Sequence, residues 1–358
     1  MNEVRQNRQI ALNRLRASIP ASGRLVAERM ALIRRRHCST HRDHLIRKRV
    51  ERMKESLAYS FGSDEDKKNK ILFVTGESNA GKSRLVDHVF ANDPGFAEYE
   101  TFEHVTAMPV LRIRAPMPSS LRNIAVRILK ALGYPIIGDV TETRAWPIVE
   151  EQIILRQVMF IVIEEAQRMM KMEDKAELQK VSDALINLVD SDVWAIRLIL
   201  VGVDPLSSLR TRDKQMHNRS RMMPLGPVVS GRALRVKEWI REIIVDHASL
   251  EIESGFDFDD CSERLIHACS GNAGSIIEMI RDALENTLRN ERTTVGMSDF
   301  AQAYHDLTSC LPHDNVFDVS SWQQVPEGAA KLPDKGAGEE AENATEPKAK
   351  MKFGERPR

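Results

Sequence analysis

Residues 71–83 read Ile-Leu-Phe-Val-Thr-Gly-Glu-Ser-Asn-Ala-Gly-Lys-Ser, and this stretch decides the fold. Ile71–Thr75 is a short apolar run rich in β-formers, which predicts a buried strand. Gly76, Glu77, Ser78, Asn79, Ala80, Gly81, Lys82 and Ser83 then fit Gly-x-x-x-x-Gly-Lys-Ser without a mismatch. Gly76 and Gly81 let the backbone turn and bring N–H groups onto phosphate oxygens. Lys82 supplies a positive charge for the β- and γ-phosphates, and Ser83 a hydroxyl ligand for Mg²⁺. Arg84 follows in the first turn of a helix expected over Lys82–Phe90, whose positive dipole end faces the anion. A loop that leaves a strand and opens a helix is the context this pattern needs.

Outward from this loop, strands and helices alternate. Val110–Arg114, Val158–Ile163 and Ile196–Val201 are further strand candidates. Leu121–Leu132, with Ser119 or Ser120 as its cap, and Glu177–Val189 read as helices between them. Such alternation predicts an α/β domain, a parallel sheet with helices on both faces. After Gly231 the strand signals stop. Helical patterns at 236–249, 262–270, 275–290 and 298–307 predict a small all-α lid. Four segments result: a basic helical extension at 1–62, an α/β core at 63–230, the lid at 231–311, and a tail at 312–358. The tail is rich in Pro, Gly, Ala and Glu, lacks apolar periodicity and is expected to be disordered. Residues 63–69 read as a polar hinge.

Two carboxylates close the run Phe160-Ile-Val-Ile-Glu164-Glu165. A strand tip beside a phosphate-binding loop is where Mg²⁺ is held and the attacking water polarised. Glu164 takes the metal-side role and Glu165 the water-activating role. Acids often follow strands, so the pair gains weight from the loop upstream. At the next strand tip, Gly202-Val203-Asp204, Asp204 is the polar candidate for sensing the γ-phosphate; starting a turn before Pro205 is its plainer role. In Asp213–Arg221, Arg219, and after it Arg221, is placed to act on a neighbouring subunit's nucleotide as an arginine finger. A surface or nucleic-acid-facing arginine is the alternative.

The formal net charge is zero, yet residues 1–50 hold thirteen Arg or Lys against three acids. So basic a segment points to an anionic partner, nucleic acid first, or to a solvated helical face. Arg114, Ser119, Arg122 and Arg144 are candidates for contacting DNA phosphates. Arg127 and Lys130 read better as the solvated face of their helix. Aromatics at 5% favour backbone contact with duplex over base stacking on single strands. The four cysteines are scattered without zinc spacing, as expected of reduced thiols in a cytoplasm. No apolar run is long enough for a membrane helix, and no apolar segment follows the basic N-terminus as a secretory signal requires.

Taken together the motifs resemble the AAA+ ATPases, most closely the transposition regulators TniB and TnsC, with Mu B more distant. The resemblance spans about residues 60–310. It rests on GESNAGKS (76–83), RAPMPSSLRNIAVRILKALGYP (114–135), FIVIEEAQRM (160–169), LILVGVDP (198–205), DKQMHNRSRMMPL (213–225) and GNAGSIIEMI (271–280). It places Arg219 on the family's arginine, although Ser220 stands where the family has Phe. Where many AAA+ proteins carry a lid arginine this chain has Gly274 and Ser275, with Arg281 two turns on. The resemblance implies an ATP- and Mg²⁺-dependent homo-oligomer, a ring or filament on duplex DNA. It further implies recruitment of a DDE transposase and a TniQ-type target selector, coupled in some systems to a CRISPR effector. Two rival readings share the core motifs: a replication initiator or helicase loader of the DnaC type, and a scaffold that binds ATP without hydrolysing it.

Overall fold

A computed structural model describes residues 2–59, 69–136, 138–172, 174–229, 231 and 233–330. Nearly all of the expected hinge and the last 28 residues of the expected tail lie outside them. Five parallel strands form one sheet: β1 (Ile71–Gly76), β2 (Val110–Arg114), β3 (Phe160–Glu164), β4 (Arg197–Gly202) and β5 (Ser220–Leu225), in the order β2-β3-β4-β1-β5. Leu72 is in register with Ile199 on one side and Arg221 on the other. Four strands fall where the apolar runs place them. The fifth has no such run. β5 is an edge strand reading Ser-Arg-Met-Met-Pro-Leu, and Pro224, which lacks an N–H, is tolerated there because one side of an edge needs no partner.

Strand periodicity sorts the core into two layers. Ile71, Phe73, Ile161, Ile163, Leu198 and Leu200 face one side, packed beneath α5 (Leu121–Ala131), α6 (Glu142–Leu155) and α7 (Lys175–Asp190). Leu72, Val74, Phe160, Val162, Ile199 and Val201 face the other, beneath α3 (His41–Tyr59) and α4 (Lys82–Ala91). Helices thus cover both faces.

The basic N-terminal region is not a separate extension. After α1 (Asn2–Ser18), α2 (Ala21–Arg35) buries Met30 and Ile33 in the lid core. Helix α3 buries Ile46, Val50 and Met53 against the sheet. These three follow i, i+4, i+7 spacing on one face, while the arginines between them face outward. Ser56, also on α3, accepts from the buried guanidinium of Arg197 at 2.7 Å.

The lid packs α10 (Ala233–Arg241), a π-helical turn at Glu242–His247, α11 (Phe258–Ala268), α12 (Ala273–Arg289) and α13 (Met297–Thr308) around Trp239. The chain does not leave the lid at the boundary expected at 312, because packing against the lid core continues to Ala330. Val316, Phe317, Val325 and Ala330 are buried in the lid core, and the Phe317 ring stacks on Phe300. Arg264 donates to the Val319 carbonyl at 2.8 Å. The composition of this stretch hid its anchors, which are few and widely spaced.

Helix α2 meets the lid through one cation and three acids. Arg34 lies 3.3 Å from Asp282 and 3.0 Å from Glu285, with Glu278 at 3.9 Å. Burial, then Glu278, pushes the Asp282 carboxyl up to about 6 against the pull of Arg34. An acid raised in the folded state favours folding below its ordinary value of 3.8, and that contribution is lost as pH rises through about 6. Asp282→Asn should therefore raise the melting temperature at ~pH 7.5, with most of that gain gone at ~pH 4.5. Thermal melts at the two values check it.

Candidate active site

The phosphate-binding loop sits at the tip of β1, inside the sheet rather than at its edge. Gly81 has a φ of 83°, a left-handed conformation that only glycine takes without strain, and it turns the chain into α4. Leu85 N donates to Gly81 O at 2.9 Å, so the N–H groups of the first turn remain directed at the loop. A Cβ on Gly76 would lie 2.9 Å from the Leu225 carbonyl, which ties this position to the neighbouring strand β5. Lys82 Nζ folds back over the loop, donating to Gly76 O at 2.9 Å and Glu77 O at 2.5 Å. Glu77, Ser78 and Asn79 are exposed while Ala80 is buried. The Arg84 side chain turns away from the loop, donating to the carbonyls of Arg34 and Arg36; it fastens α4 to the end of α2.

Strand β3 brings its acids to this loop. Ser83 Oγ donates to Glu164 Oε2 at 2.5 Å, across 81 positions of sequence. Arg112 lies 3.8 Å from the other carboxylate oxygen and also pairs with Asp87. Burial pushes the Glu164 carboxyl above its ordinary value, opposed by the Ser83 hydrogen bond and by Arg112. A hydroxyl and a carboxylate converging on one point are hard oxygen donors, the kind Mg²⁺ takes, so the residues fit the ion that the sequence leads one to expect. The extra methylene of Glu over Asp does not keep Glu164 from reaching Ser83.

Glu165 stands beside this pair in a left-handed conformation, φ 55° and ψ 34°, at the start of the 3₁₀ turn Ala166–Lys171. Backbone strain of this kind collects at functional sites. Its carboxylate accepts from Gln167 Nε2 at 3.1 Å and lies 3.9 Å from Arg168. Asp204 is exposed in the first position of a short 3₁₀ turn, where its carbonyl accepts from Ser207. Its carboxylate makes no hydrogen bond or ion pair to the loop among the described residues.

Two further parts of the site come from outside the expected core. The lid rests directly on the loop: Asn272, the cap of α12, donates from Nδ2 to Ser78 O at 2.8 Å. Gly274 lies so close that a Cβ there would overlap the Asn79 carbonyl oxygen. No side chain fits at this position, which explains why the lid has no arginine there. From the N-terminal side, Arg42 on α3 donates to Ala80 O at 3.3 Å and to the Gly226 carbonyl. Between these parts lies a half-open cleft beside Gly81, lined by Cys38, Thr40, Leu225, Ala273, Ile277 and Arg281. Arg281 is fully buried, donating to Glu278 at 2.7 Å and to Arg36 O at 3.0 Å. The linker that carries Cys38 is fixed by Asp43. Burial would raise its carboxyl, but hydrogen bonds from His37 and from the Thr40 side chain and backbone outweigh this and hold it at about 2. The 37–42 segment carries no motif, and its one arginine, Arg42, is hidden among the charged residues around it. The lid contacts left one sequence signal, Gly-Asn-Ala-Gly at 271–274, at the start of a strongly amphipathic helix.

The remaining candidates lie away from the loop. Helices α8 (Ser207–Arg212) and α9 (Lys214–Arg219) precede β5. Arg219 ends α9 at the foot of the sheet, where its carbonyl accepts from Lys70 N just before β1. It cannot reach the loop of its own chain at the opposite ends of these strands. Its guanidinium is held by Asp190 at 2.6 Å, and Asp190 also takes Lys70 at 2.8 Å. Arg221 is exposed on β5. Arg114 is exposed at the tip of β2 and Arg144 on α6. Ser119 Oγ donates to Pro116 O at 2.7 Å, and the capping is done by Ser120, which accepts from Asn123 N. Arg122 is engaged within the chain, donating to Val140 O at 2.6 Å and pairing with Asp139. Arg127 and Lys130 are exposed on α5, as a solvated face requires. Among the described residues no helix is long and apolar enough to cross a membrane.

Comparison with solved structures finds the same fold. The Aeropyrum pernix ORC2 protein, solved as ADPNP–ADP complexes, superposes with a TM-score of 0.53 at 14% identity, covering 78% of this chain and 73% of that one. Cdc6p from Pyrobaculum aerophilum gives 0.50 at 12% identity, covering 80% and 75%. At such identities the likeness is one of fold alone, that of the P-loop AAA+ proteins. No curated protein matches the sequence. The model of the bacterial TniB protein family matches residues 36–228, more than half of the 358, and includes the N-terminal linker, the loop, the acid pair and β5. The chain therefore belongs to the TniB family.

Proposed function

We propose that this chain is a Mg²⁺-dependent ATPase that assembles on duplex DNA and regulates transposition. The observation that carries the reading is the convergence of Ser83 on Glu164, with Glu165 held beside them, at a phosphate-binding loop in a chain of the TniB family. The ADPNP–ADP complexes of the Aeropyrum pernix ORC2 protein support nucleotide binding by the shared fold. In this reading Lys82 and the first N–H groups of α4 bind the phosphates. Ser83 and Glu164 hold Mg²⁺, which when bound neutralises charge on the β- and γ-phosphates. Glu165 orients the attacking water and accepts its proton. The nucleoside lies in the cleft beside Gly81, under the lid.

Arg219 acts in trans, steadied by Asp190, so hydrolysis requires a homo-oligomer, a ring or a helical filament. Arg114 and Arg144 are the exposed candidates for DNA phosphates; Arg122 is less suited, being tied to Asp139. The assembly marks the target site, recruits a DDE transposase and bridges to a TniQ-type selector, with a CRISPR effector in systems that carry one. Pull-down of a replicative helicase in place of a transposase would favour the loader reading.

Mixing tests the trans assignment. An arginine finger is worth ~10³–10⁵ in turnover, so Lys82→Ala and Arg219→Ala should each be inactive alone. Mixed one to one on DNA, about a quarter of the interfaces join an intact loop to an intact arginine, and turnover should recover to about that fraction. An ATPase assay of the mixture reads it. No recovery would sink the assignment.

A further inference from the structure

The tip of β4 lacks the polar group that a γ-phosphate site calls for. Val203 is apolar and Asp204 is exposed in its own turn. The polar group lodged between the tips of β3 and β4 is instead the carboxamide of Gln167. Its Oε1 accepts from Val203 N at 3.4 Å and its Nε2 donates to Glu165 Oε2 at 3.1 Å. The chemistry of the two neighbours fixes the orientation. A backbone N–H must meet the oxygen, which leaves the NH₂ for the carboxylate. Gly202 makes the room: a Cβ there would overlap Gln167 Oε1 and lie 3.2 Å from Gln167 N. One side chain thus joins the β4 tip to the acid that follows β3.

We infer that Gln167 is a positioning residue for hydrolysis, holding the Glu165 carboxylate toward the nucleotide and fixing it relative to the β4 tip. The inference rests on the ATPase reading above. Glu165 needs such a hold because its left-handed backbone is unfavourable for a residue with a side chain. The other charged groups near it serve differently. Arg168, at 3.9 Å, is anchored to the Ala115 carbonyl at 3.2 Å, and Glu164 is turned to Ser83. A misaimed base loses much of the ~10²–10⁴ that proton transfer contributes, without any change in how phosphate is bound.

The test compares turnover and ATP affinity in the full chain on duplex DNA for wild type, Gln167→Ala, Gln167→Glu, Glu165→Gln and the double variant Glu165→Gln/Gln167→Ala. Gln167→Ala should lower kcat roughly 10- to 100-fold, with the ATP Kd within about threefold of wild type. Gln167→Glu keeps the size and the acceptor for Val203 N but loses the donor, so it should be at least as slow even if the alanine variant folds poorly. In the Glu165→Gln background the alanine change should cost no more than about twofold, because residues that act as a unit are not additive. Two results would overturn the inference. One is wild-type turnover in both single Gln167 variants while Glu165→Gln is inactive. The other is the same fractional loss with and without Glu165, which marks a general structural effect. Equal turnover in wild type and Glu165→Gln would instead overturn the role of Glu165 beneath it, and no turnover in wild type would overturn the ATPase reading itself.

Discussion

Glu165→Gln is expected to reduce ATP turnover by roughly 10²–10⁴ while nucleotide-dependent assembly on DNA persists or strengthens. The substitution keeps the shape of the side chain and its contact with Gln167, but removes the negative charge that takes the proton from water. It leaves Lys82, Ser83 and Glu164 in place, so the phosphates and Mg²⁺ are bound as before. A protein that binds ATP to assemble and hydrolyses it to disassemble is then arrested in the assembled state. Turnover by phosphate release and DNA binding by gel shift, measured on one preparation, separate the two effects. Loss of both would mean that Glu165 supports the loop rather than the chemistry. A change in neither would mean that Glu165 is not the catalytic base, and an absence of turnover in the wild type itself would favour the scaffold that binds ATP without hydrolysing it.

Gly274→Ala should have the second largest effect, although the residue carries no functional group. The N-terminal turn of α12 lies against the backbone of the phosphate-binding loop, and the added methyl would overlap the Asn79 carbonyl oxygen. Backbone atoms on both sides leave nothing flexible to give way. Overpacking of this kind costs about 1–3 kcal/mol, here concentrated on the contact between lid and loop. The contact of Asn272 with Ser78 should open with it. The expected result is a melting temperature lower by several degrees and an ATP affinity weaker by about tenfold or more. Gly274→Arg should be worse still, despite restoring the residue that many AAA+ lids carry. Thermal melts and titration with a fluorescent ATP analogue check both. An unchanged Kd in the alanine variant would show that the lid does not need this contact to hold nucleotide.

The sequence makes some of this molecule plain, for physical reasons. Strands β1, β3 and β4 are buried on both faces, so they stand out as nearly unbroken apolar runs, while the edge strand β2 still shows through Val110, Leu111 and Ile113; the phosphate-binding loop and acid pair are local patterns at the tips of β1 and β3. Strand β5 is not legible because an edge strand can carry Arg221 and Pro224. Helix α6 holds Pro147 in its interior, which reads as a break. The N-terminus is the least legible part, where high charge masks the three core positions of α3 and the Arg42 that reaches Ala80. Tertiary closeness is not legible at all. That Ser83 meets Glu164 follows from the expected order of roles, but nothing local announces that Asn272 reaches Ser78 or that Gln167 joins Val203 to Glu165. Those contacts join segments brought together only by the fold.

If nucleotide drives this chain to assemble on DNA, electron microscopy of the purified protein with duplex DNA will show the assemblies. The sample is viewed with and without a slowly hydrolysed ATP analogue. Rings or filaments on DNA with the analogue, and none without it, are the predicted result. Monomers under both conditions would contradict the account and remove the basis for Arg219 acting on a neighbour's nucleotide.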